Sequence, residues 1–139
     1  MGQHHTKDSG DLGVFKVQLD LHEKGFVVSV PLTEHAPFDL VAYQNGECKT
    51  VQVKYRSLRD ERGTLTVYFR SSYSDSNGHH TQEVDKEAID VYGIYCPDTD
   101  ECYYLSPDEF GRAVSLRVEP PENNQTANVN FASDYLEVP

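Results

Sequence analysis

The chain has 139 residues, the length of one domain, and 37% of them are hydrophobic, enough for a buried core. It contains no run of about 20 apolar residues and begins without an apolar leader, so we expect a cytoplasmic protein that does not enter a membrane. The net charge of −11 at pH 7 argues against a protein that coats nucleic acid indiscriminately.

A helix is predicted over residues 7–24, and Gly25 is predicted to end it as the C′ residue. The apolar side chains of this segment recur at helical spacing and are expected to face the core. They are Leu12, Phe15 and Leu19, with Val14, Val17 and Leu21 widening the stripe.

Short strands are predicted further along the chain, together with turns and one helical turn over residues 107–111. The strands cover residues 26–30, 38–43, 49–55, 65–69, 91–96, 102–105 and 114–118. Residues 74–80 are interpreted as a polar loop around Asn77-Gly78. A helix followed by a hairpin-rich sheet predicts a mixed α/β domain over residues 1–118. Residues 119–139 are interpreted as a loosely packed extension or an arm for subunit contacts.

The dipeptide Asn45-Gly46 predicts a hairpin with a two-residue type I′ turn. In that register Gln44 pairs with Glu47, and Asp39 lies opposite Gln52. Lys54 follows Gln52 by two residues and therefore points to the same face of the ribbon. The apolar residues of both strands collect on the other face, which supports the register. They are Phe38, Leu40, Ala42, Val51 and Val53.

A carboxylate, an amide and an ammonium in this arrangement suit the hydrolysis of a phosphodiester bond. We expect Asp39 to be the principal ligand of Mg²⁺, with Mn²⁺ as the alternative ion, because such ions prefer oxygen ligands. The Gln52 Oε1 and the Val53 carbonyl are the predicted secondary ligands. Lys54 is the predicted electrostatic catalyst, which orients water or neutralises charge on the phosphoryl group.

These residues resemble the PD-(D/E)XK nucleases associated with group I introns, and the archaeal Holliday-junction resolvases are similar as well. The resemblance lies in Gly25-Phe26, Val30-Pro31-Leu32, Phe38-Asp39-Leu40-Val41 and Val51-Gln52-Val53-Lys54, and continues through residues 90–104. Gln52 departs from the Asp or Glu that most of the superfamily carries, although the intron-associated group includes a Gln variant. The literal motif Glu47-Cys48-Lys49 is rejected because it lies at the turn, on the face of Val51.

The resemblance implies a restriction-endonuclease-like α/β core, a mixed β-sheet with the N-terminal helix packed on it. It implies double-stranded DNA as the partner and a homodimer or homotetramer, since each subunit cuts one strand. It also implies an acid on the first helix near the metal. Asp11 is the candidate and Asp8 the second choice, although an acid in a first helical turn is also favoured by the helix dipole.

Basic residues concentrate between positions 49 and 70, where the local charge is +4 on an otherwise acidic chain. Such a positive region is compatible with contact to DNA, and a solvated charged loop is the alternative. The predicted DNA-binding residues are Lys7, Arg56, Arg59, Arg62 and Arg70.

The leading hypothesis is therefore a site-specific DNA endonuclease of the intron-homing type. A resolvase of branched DNA or a restriction-like nuclease would use the same residues. A DNA-binding module with a decayed site is the alternative from a different class, because Gln52 replaces a carboxylate.

Overall fold

The computed structural model describes residues 5–59, 63–75, 77–83, 88–119 and 129–139. It contains a single α-helix, α1 (His5–Glu23), within those ranges. The ten strands of the described residues are β1 (Val27–Ser29), β2 (Leu40–Gln44), β3 (Glu47–Tyr55), β4 (Thr64–Tyr68), β5 (Arg70–Asp75), β6 (Gly78–Glu83), β7 (Val91–Cys96), β8 (Glu101–Leu105), β9 (Ala113–Arg117) and β10 (Asn130–Phe131).

The main sheet has five strands in the order β1-β2-β3-β7-β8. Its neighbours pair antiparallel except for β3 and β7, which run parallel. A second sheet has the order β10-β9-β4, and β5 pairs with β6 in a separate hairpin. The predicted α/β class, a mixed sheet with an N-terminal helix packed on it, is confirmed. No helix among the described residues has both the length and the apolar content to cross a bilayer.

Each face of the main sheet carries its own apolar cluster. On one face α1 contributes Val17 and Leu21 to a buried cluster with Leu40, Ala42 and Val51. On the other face the second sheet covers the main one, and the cluster there has more members: Leu65, Val67, Leu116, Tyr92, Ile94, Tyr103 and Leu105. The alternation of side chains along a strand separates the two clusters, and β7 and β8 contribute to both.

The end of α1 follows from Gly25, as predicted. Gly25 has φ +92°, a conformation that costs little only for glycine. The Phe26 N–H donates to the Leu21 carbonyl at 3.0 Å, and the Gly25 N–H donates to the His22 carbonyl at 3.0 Å. These two bonds form a Schellman motif, which turns the chain into β1.

The predicted apolar face of α1 is wrong by part of a turn. Leu12, Phe15 and Leu19 are 41%, 64% and 53% exposed, whereas Val17 and Leu21 are fully buried. The helix is apolar on two sides, and the side that packs includes Gly13, which faces Val53 and Tyr55 of β3. Leu12, Phe15 and Leu19 form an exposed apolar face on α1, which we call the outer stripe.

Two further predictions are corrected. The region around Asn77-Gly78 is the turn of the β5–β6 hairpin rather than a polar loop. Residues 129–139 are packed rather than loose, because β10 pairs with β9 and Ala132 is buried against the second sheet. The division at residue 118 and the use of the last segment for subunit contacts stay predictions.

Candidate active site at the open end of the β2–β3 ribbon

The β2–β3 ribbon has the register predicted from its turn. Asn45 and Gly46 have φ values of 52° and 83°, as a type I′ turn requires. Gln44 pairs with Glu47, and the ladder continues to Leu40 opposite Val51. Glu47 and Lys49 therefore lie at the turn, far along the ribbon from Lys54, which agrees with the rejection of that alternative motif.

The ribbon changes at Asp39, where the prediction of a direct pair between Asp39 and Gln52 is wrong. The Asp39 N–H donates to the Val51 carbonyl at 2.9 Å, although Val51 already pairs with Leu40. Two consecutive residues thus meet one residue of β3, as in a β-bulge. The extra residue shifts the alternation of faces, so Phe38 packs in the cluster beneath the second sheet and not beside Leu40.

The bulge directs the Asp39 carboxylate to the edge of β3. Its Oδ2 accepts the Val53 N–H at 2.8 Å, in the place that a further residue of β2 would otherwise take. Burial raises the pKa of Asp39 above its ordinary value, although the Val53 N–H and the Lys54 ammonium both act to lower it. The carboxylate is therefore a half-buried anion that its neighbours compensate only in part.

Beyond Asp39, no strand of the described residues pairs with this side of β3. The N–H and C=O of one strand residue point to the same side, so the Val53 carbonyl faces the same side as the Asp39 carboxylate. The Tyr55 carbonyl, two residues on, faces this side too, and the Arg56 Nη1 donates to it at 2.7 Å. The edge thus carries one carboxylate, a carbonyl oxygen and a guanidinium in sequence.

Arg56 is half-buried at this edge and pairs with no carboxylate of the described residues. Burial lowers the pKa of its guanidinium, since removal from water disfavours the charged form. A buried cation without an anionic partner is costly. Arg56 is therefore suited to receive an anion from outside the chain.

Gln52 and Lys54 point to the face of the main sheet that the second sheet covers. They are half-buried, and in the parallel ladder they lie beside Tyr92 and Ile94 of β7. The Lys54 Nζ is 5.7 Å from the centroid of the Tyr92 ring. The positive charge of Lys54 acts to lower the pKa of Asp39, so the carboxylate and the ammonium interact favourably.

The strands that hold these groups are fixed at both ends. The Thr50 N–H donates to the Asp90 Oδ2 at 2.9 Å, and the Asp90 N–H returns a bond of 3.0 Å to the Thr50 Oγ1. After β3, the Leu58 N–H donates to the Asp98 Oδ2 at 2.8 Å. These bonds join β3 to the ends of β7 on either side of residues 52–54, which keeps the site on rigid elements.

Tyr92 is absent from the predicted site residues. Its ring is fully buried, and its hydroxyl has no hydrogen-bond partner among the described residues. Burial raises the pKa of Tyr92 to about 12. Its position beside Gln52 depends on the pairing of β3 with β7, and the sequence contains no local pattern that predicts this pairing.

Asp11 does not join this group in the structure. It lies in the second turn of α1, exposed, and makes no hydrogen bond or ion pair with the described residues. Helix α1 covers the Val51 and Val53 face of β3, opposite to the face of Lys54. Asp8 is also exposed. The role of either acid as a metal ligand stays a prediction.

The other predicted DNA-binding residues are described only in part. Arg59 is exposed and forms a bridge with Thr64 through its N–H at 2.8 Å. Arg62 lies outside the described residues, as do the side chains of Lys7 and Arg70. Arg59 follows β3 by four residues, which is compatible with the prediction that this segment contacts DNA.

The oxygen donors at the edge of β3 fit a hard divalent cation. A half-buried carboxylate with a raised pKa, a carbonyl oxygen and a nearby amide are the kinds of ligand that Mg²⁺ and Mn²⁺ accept, with water completing the shell. No group of three His, Cys, Asp or Glu side chains in the described ranges is arranged to hold a metal ion. A cation here would therefore depend on Asp39 as its one carboxylate from the described residues.

Comparisons with known proteins agree with this geometry. The family model described as PD-(D/E)XK endonuclease matches residues 4–138. Among solved structures, the chain is similar to a bacterial homing endonuclease, I-Ssp6803I, with a TM-score of 0.76 and 21% sequence identity over 94% of this chain and 87% of that one. At this identity the likeness concerns the fold. No curated protein matches the chain.

Replacement of Asp39 by Asn is expected to raise the stability of the metal-free protein above the Asp39 pKa. The raised pKa means that ionisation of Asp39 disfavours the folded state, so wild type loses stability as the pH rises through that pKa, and Asp39→Asn does not. A divalent cation reverses the order, because it binds the folded wild type and stabilises it by about 2.7 kcal/mol at a hundred times its Kd.

Urea unfolding with EDTA and with Mg²⁺, from pH 4 to pH 8, measures both effects. Asp108→Asn, a change at an exposed acid on the short helical turn after β8, is the control. Equal stabilisation of wild type and Asp39→Asn by Mg²⁺ would show that the cation binds elsewhere.

Proposed function

Because the chain belongs to the PD-(D/E)XK endonuclease family, we propose that it is a site-specific DNA endonuclease of the intron-homing type, which hydrolyses phosphodiester bonds with Mg²⁺. The observation that carries the proposal is the Asp39 carboxylate held on the Val53 N–H within the electrostatic reach of Lys54. Phosphoryl transfer needs a carboxylate that binds a cation. It also needs an ammonium that neutralises negative charge on the phosphoryl oxygens.

In this proposal the residues at and beside β3 have separate roles. Asp39, the Val53 carbonyl and the Gln52 Oε1 would hold the cation, which when bound supplies Lewis acidity at the scissile phosphoryl group. Lys54 donates to the phosphoryl oxygens and neutralises the charge that grows on them. Arg56 holds a phosphate of the same strand at the edge of β3. Asp11 stays the proposed additional ligand.

The amide of Gln52 sets this site apart from one with two carboxylates. An amide oxygen contributes a dipole and no charge, so it binds a divalent cation more weakly than a carboxylate. We infer that the DNA phosphate, as a further ligand, tightens the binding of the cation. A resolvase or a restriction-like nuclease would use the same residues, and a decayed DNA-binding module is the second candidate.

Lys54→Ala is expected to lower the rate of DNA cleavage by at least a hundredfold, since it removes the positive charge next to the phosphoryl group. The measurement is nicking of supercoiled plasmid that contains a cleavable site, with Mg²⁺ and with EDTA. Lys24→Ala is the matched control, because Lys24 is paired with Asp20 at the far end of α1.

Comparison of substrates separates the alternatives. Preference for a linear duplex target supports the homing or restriction role, and preference for a four-way junction supports a resolvase. A wild-type protein that binds DNA with every substrate and metal tested but never cuts would leave only the decayed module.

Arg56→Ala is expected to weaken DNA binding by a similar factor for all sequences, because a phosphate contact carries no sequence information. The slope of log K against log salt should fall by about 0.9, the value for one phosphate charge. Fluorescence anisotropy in a salt series with Ca²⁺ in place of Mg²⁺ measures both.

Arg117→Ala is the control for Arg56→Ala, since Arg117 lies on β9 and its Nε donates to the Glu119 carbonyl at 3.1 Å. An unchanged salt slope for Arg56→Ala would remove Arg56 from the DNA surface.

We also propose a homodimer or homotetramer, which would place one active site on each DNA strand. The outer stripe of α1 supports self-association, because three large apolar side chains at helical spacing are exposed on one face. Their spacing would let the same stripe of a second copy pack against it about a two-fold axis.

Phe15→Glu is expected to shift the protein to the monomer in sedimentation equilibrium, because it places a charge in the centre of the outer stripe. Val27→Glu, at an exposed apolar residue on the edge strand β1, is the control. If Phe15→Glu leaves the mass of the wild-type particle unchanged, subunits associate through another surface.

A further inference from the structure

The Tyr92 side chain has a position that packing alone does not explain. It is fully buried in the cluster beneath the second sheet, yet its hydroxyl has no hydrogen-bond partner among the described residues. A phenylalanine ring would fill the same volume without an unsatisfied hydroxyl. The ring is the part of Tyr92 with a contact to the site, because the Lys54 ammonium lies over its face.

Two contacts define this arrangement. The Lys54 Nζ is over the Tyr92 ring at 5.7 Å from its centroid, within the range in which a cation is attracted to an aromatic face. The Phe69 ring also contacts the Tyr92 ring, with the two ring centroids 4.8 Å apart and the two ring planes inclined at 64°. This edge-to-face pair holds the ring in place. Burial raises the pKa of Tyr92 to about 12, which favours the uncharged ring near pH 7.

Lysine needs such support more than other catalytic groups do. Its ammonium ends a flexible four-carbon stem, and free rotation would carry the charge away from a phosphate at Asp39. Catalysis by electrostatics depends on charges that are already in place before the reaction. The half-buried position of Lys54 restricts the stem, and the Tyr92 ring gives the ammonium a preferred location on the face that Gln52 shares.

We propose that Tyr92 is a positioning residue for Lys54: its ring holds the ammonium beside Asp39 in the free protein, ready for the phosphate. The inference rests on the proposed nuclease function for its effect on rate, while the contact itself exists without DNA or metal. The hydroxyl is not required, so phenylalanine preserves the function and an aliphatic residue does not.

The contact is measured first in the protein without metal or DNA. The methylene protons next to the Lys54 ammonium should resonate upfield in NMR spectra of wild type, because they lie over an aromatic face. Tyr92→Phe keeps this shift, and Tyr92→Leu returns it to the value of an exposed lysine. Absence of the shift in wild type overturns the proposal, whatever the variants do.

Cleavage is then measured in single turnover at saturating protein. Tyr92→Phe is expected to retain the wild-type rate within about threefold, and Tyr92→Leu to lose roughly tenfold, with the Kd for DNA unchanged. A loss in rate without a loss in binding separates positioning from damage to the fold. Tyr103→Leu is the matched control, since Tyr103 is buried in the same cluster and its hydroxyl contacts Thr99.

The outcomes are distinguishable. A Tyr92→Leu protein that cleaves at the wild-type rate overturns the proposal, and so does a Tyr92→Phe protein that is as slow as Tyr92→Leu. Equal losses for Tyr103→Leu and Tyr92→Leu also overturn it, because then any missing ring would suffice. If Tyr92→Leu does not fold, Tyr92→Met takes its place. A wild type that shows the NMR shift but never cleaves contradicts the nuclease function and supports the contact.

Discussion

The hydrogen bond from the Val53 N–H to the Asp39 carboxylate is the interaction on which the site depends. Its length is 2.8 Å, and it forms where β2 leaves its partner strand. The carboxylate takes the place of the next residue of the ladder, and among the described residues no strand pairs with β3 beyond it on that side. The same bond directs an anion to the open edge, where the neighbouring carbonyl oxygen and the Arg56 guanidinium also face.

This arrangement uses an irregularity of the ladder for function. A regular ribbon would have placed Asp39 opposite Gln52, with both side chains perpendicular to the sheet. The bulge instead turns the carboxylate into the plane of the sheet, while Gln52 and Lys54 stay on one face. The Asp39 carboxylate therefore lies at the edge of β3, whereas the Lys54 ammonium lies over the Tyr92 ring on the face of the sheet.

Much of the fold could be predicted because local sequence patterns determine the turns and the ends of the elements. The Asn45-Gly46 turn determined the ribbon register, and Gly25 determined the end of α1. The bulge at Asp39 could not be predicted, because it depends on Phe38 packing beneath a second sheet that is distant in sequence. The buried side of α1 was missed for a related reason. The helix is apolar on two sides, and periodicity alone cannot choose between them.

The candidate site also contains residues that local patterns predict and residues that depend on pairing between distant segments. Asp39 and Lys54 were predicted from the ribbon and interact electrostatically, although Asp39 takes its position through the bulge and not through a direct pair with Gln52. Tyr92 reaches the site through the parallel pairing of β3 with β7, a contact between segments about 40 residues apart. Asn77-Gly78 forms a hairpin that was interpreted as a loop, because its flanking residues are polar and lack the alternation that marked the first ribbon.

The most direct test is a crystal structure with Mn²⁺ and a DNA duplex that contains a cleavable site, collected at a wavelength where manganese scatters anomalously. We expect an anomalous peak bonded to the Asp39 carboxylate and the Val53 carbonyl, with the Lys54 ammonium on the phosphate that shares the ion. An ion bound away from the edge of β3, or a scissile phosphate that contacts neither Asp39 nor Lys54, would contradict this assignment of the active site.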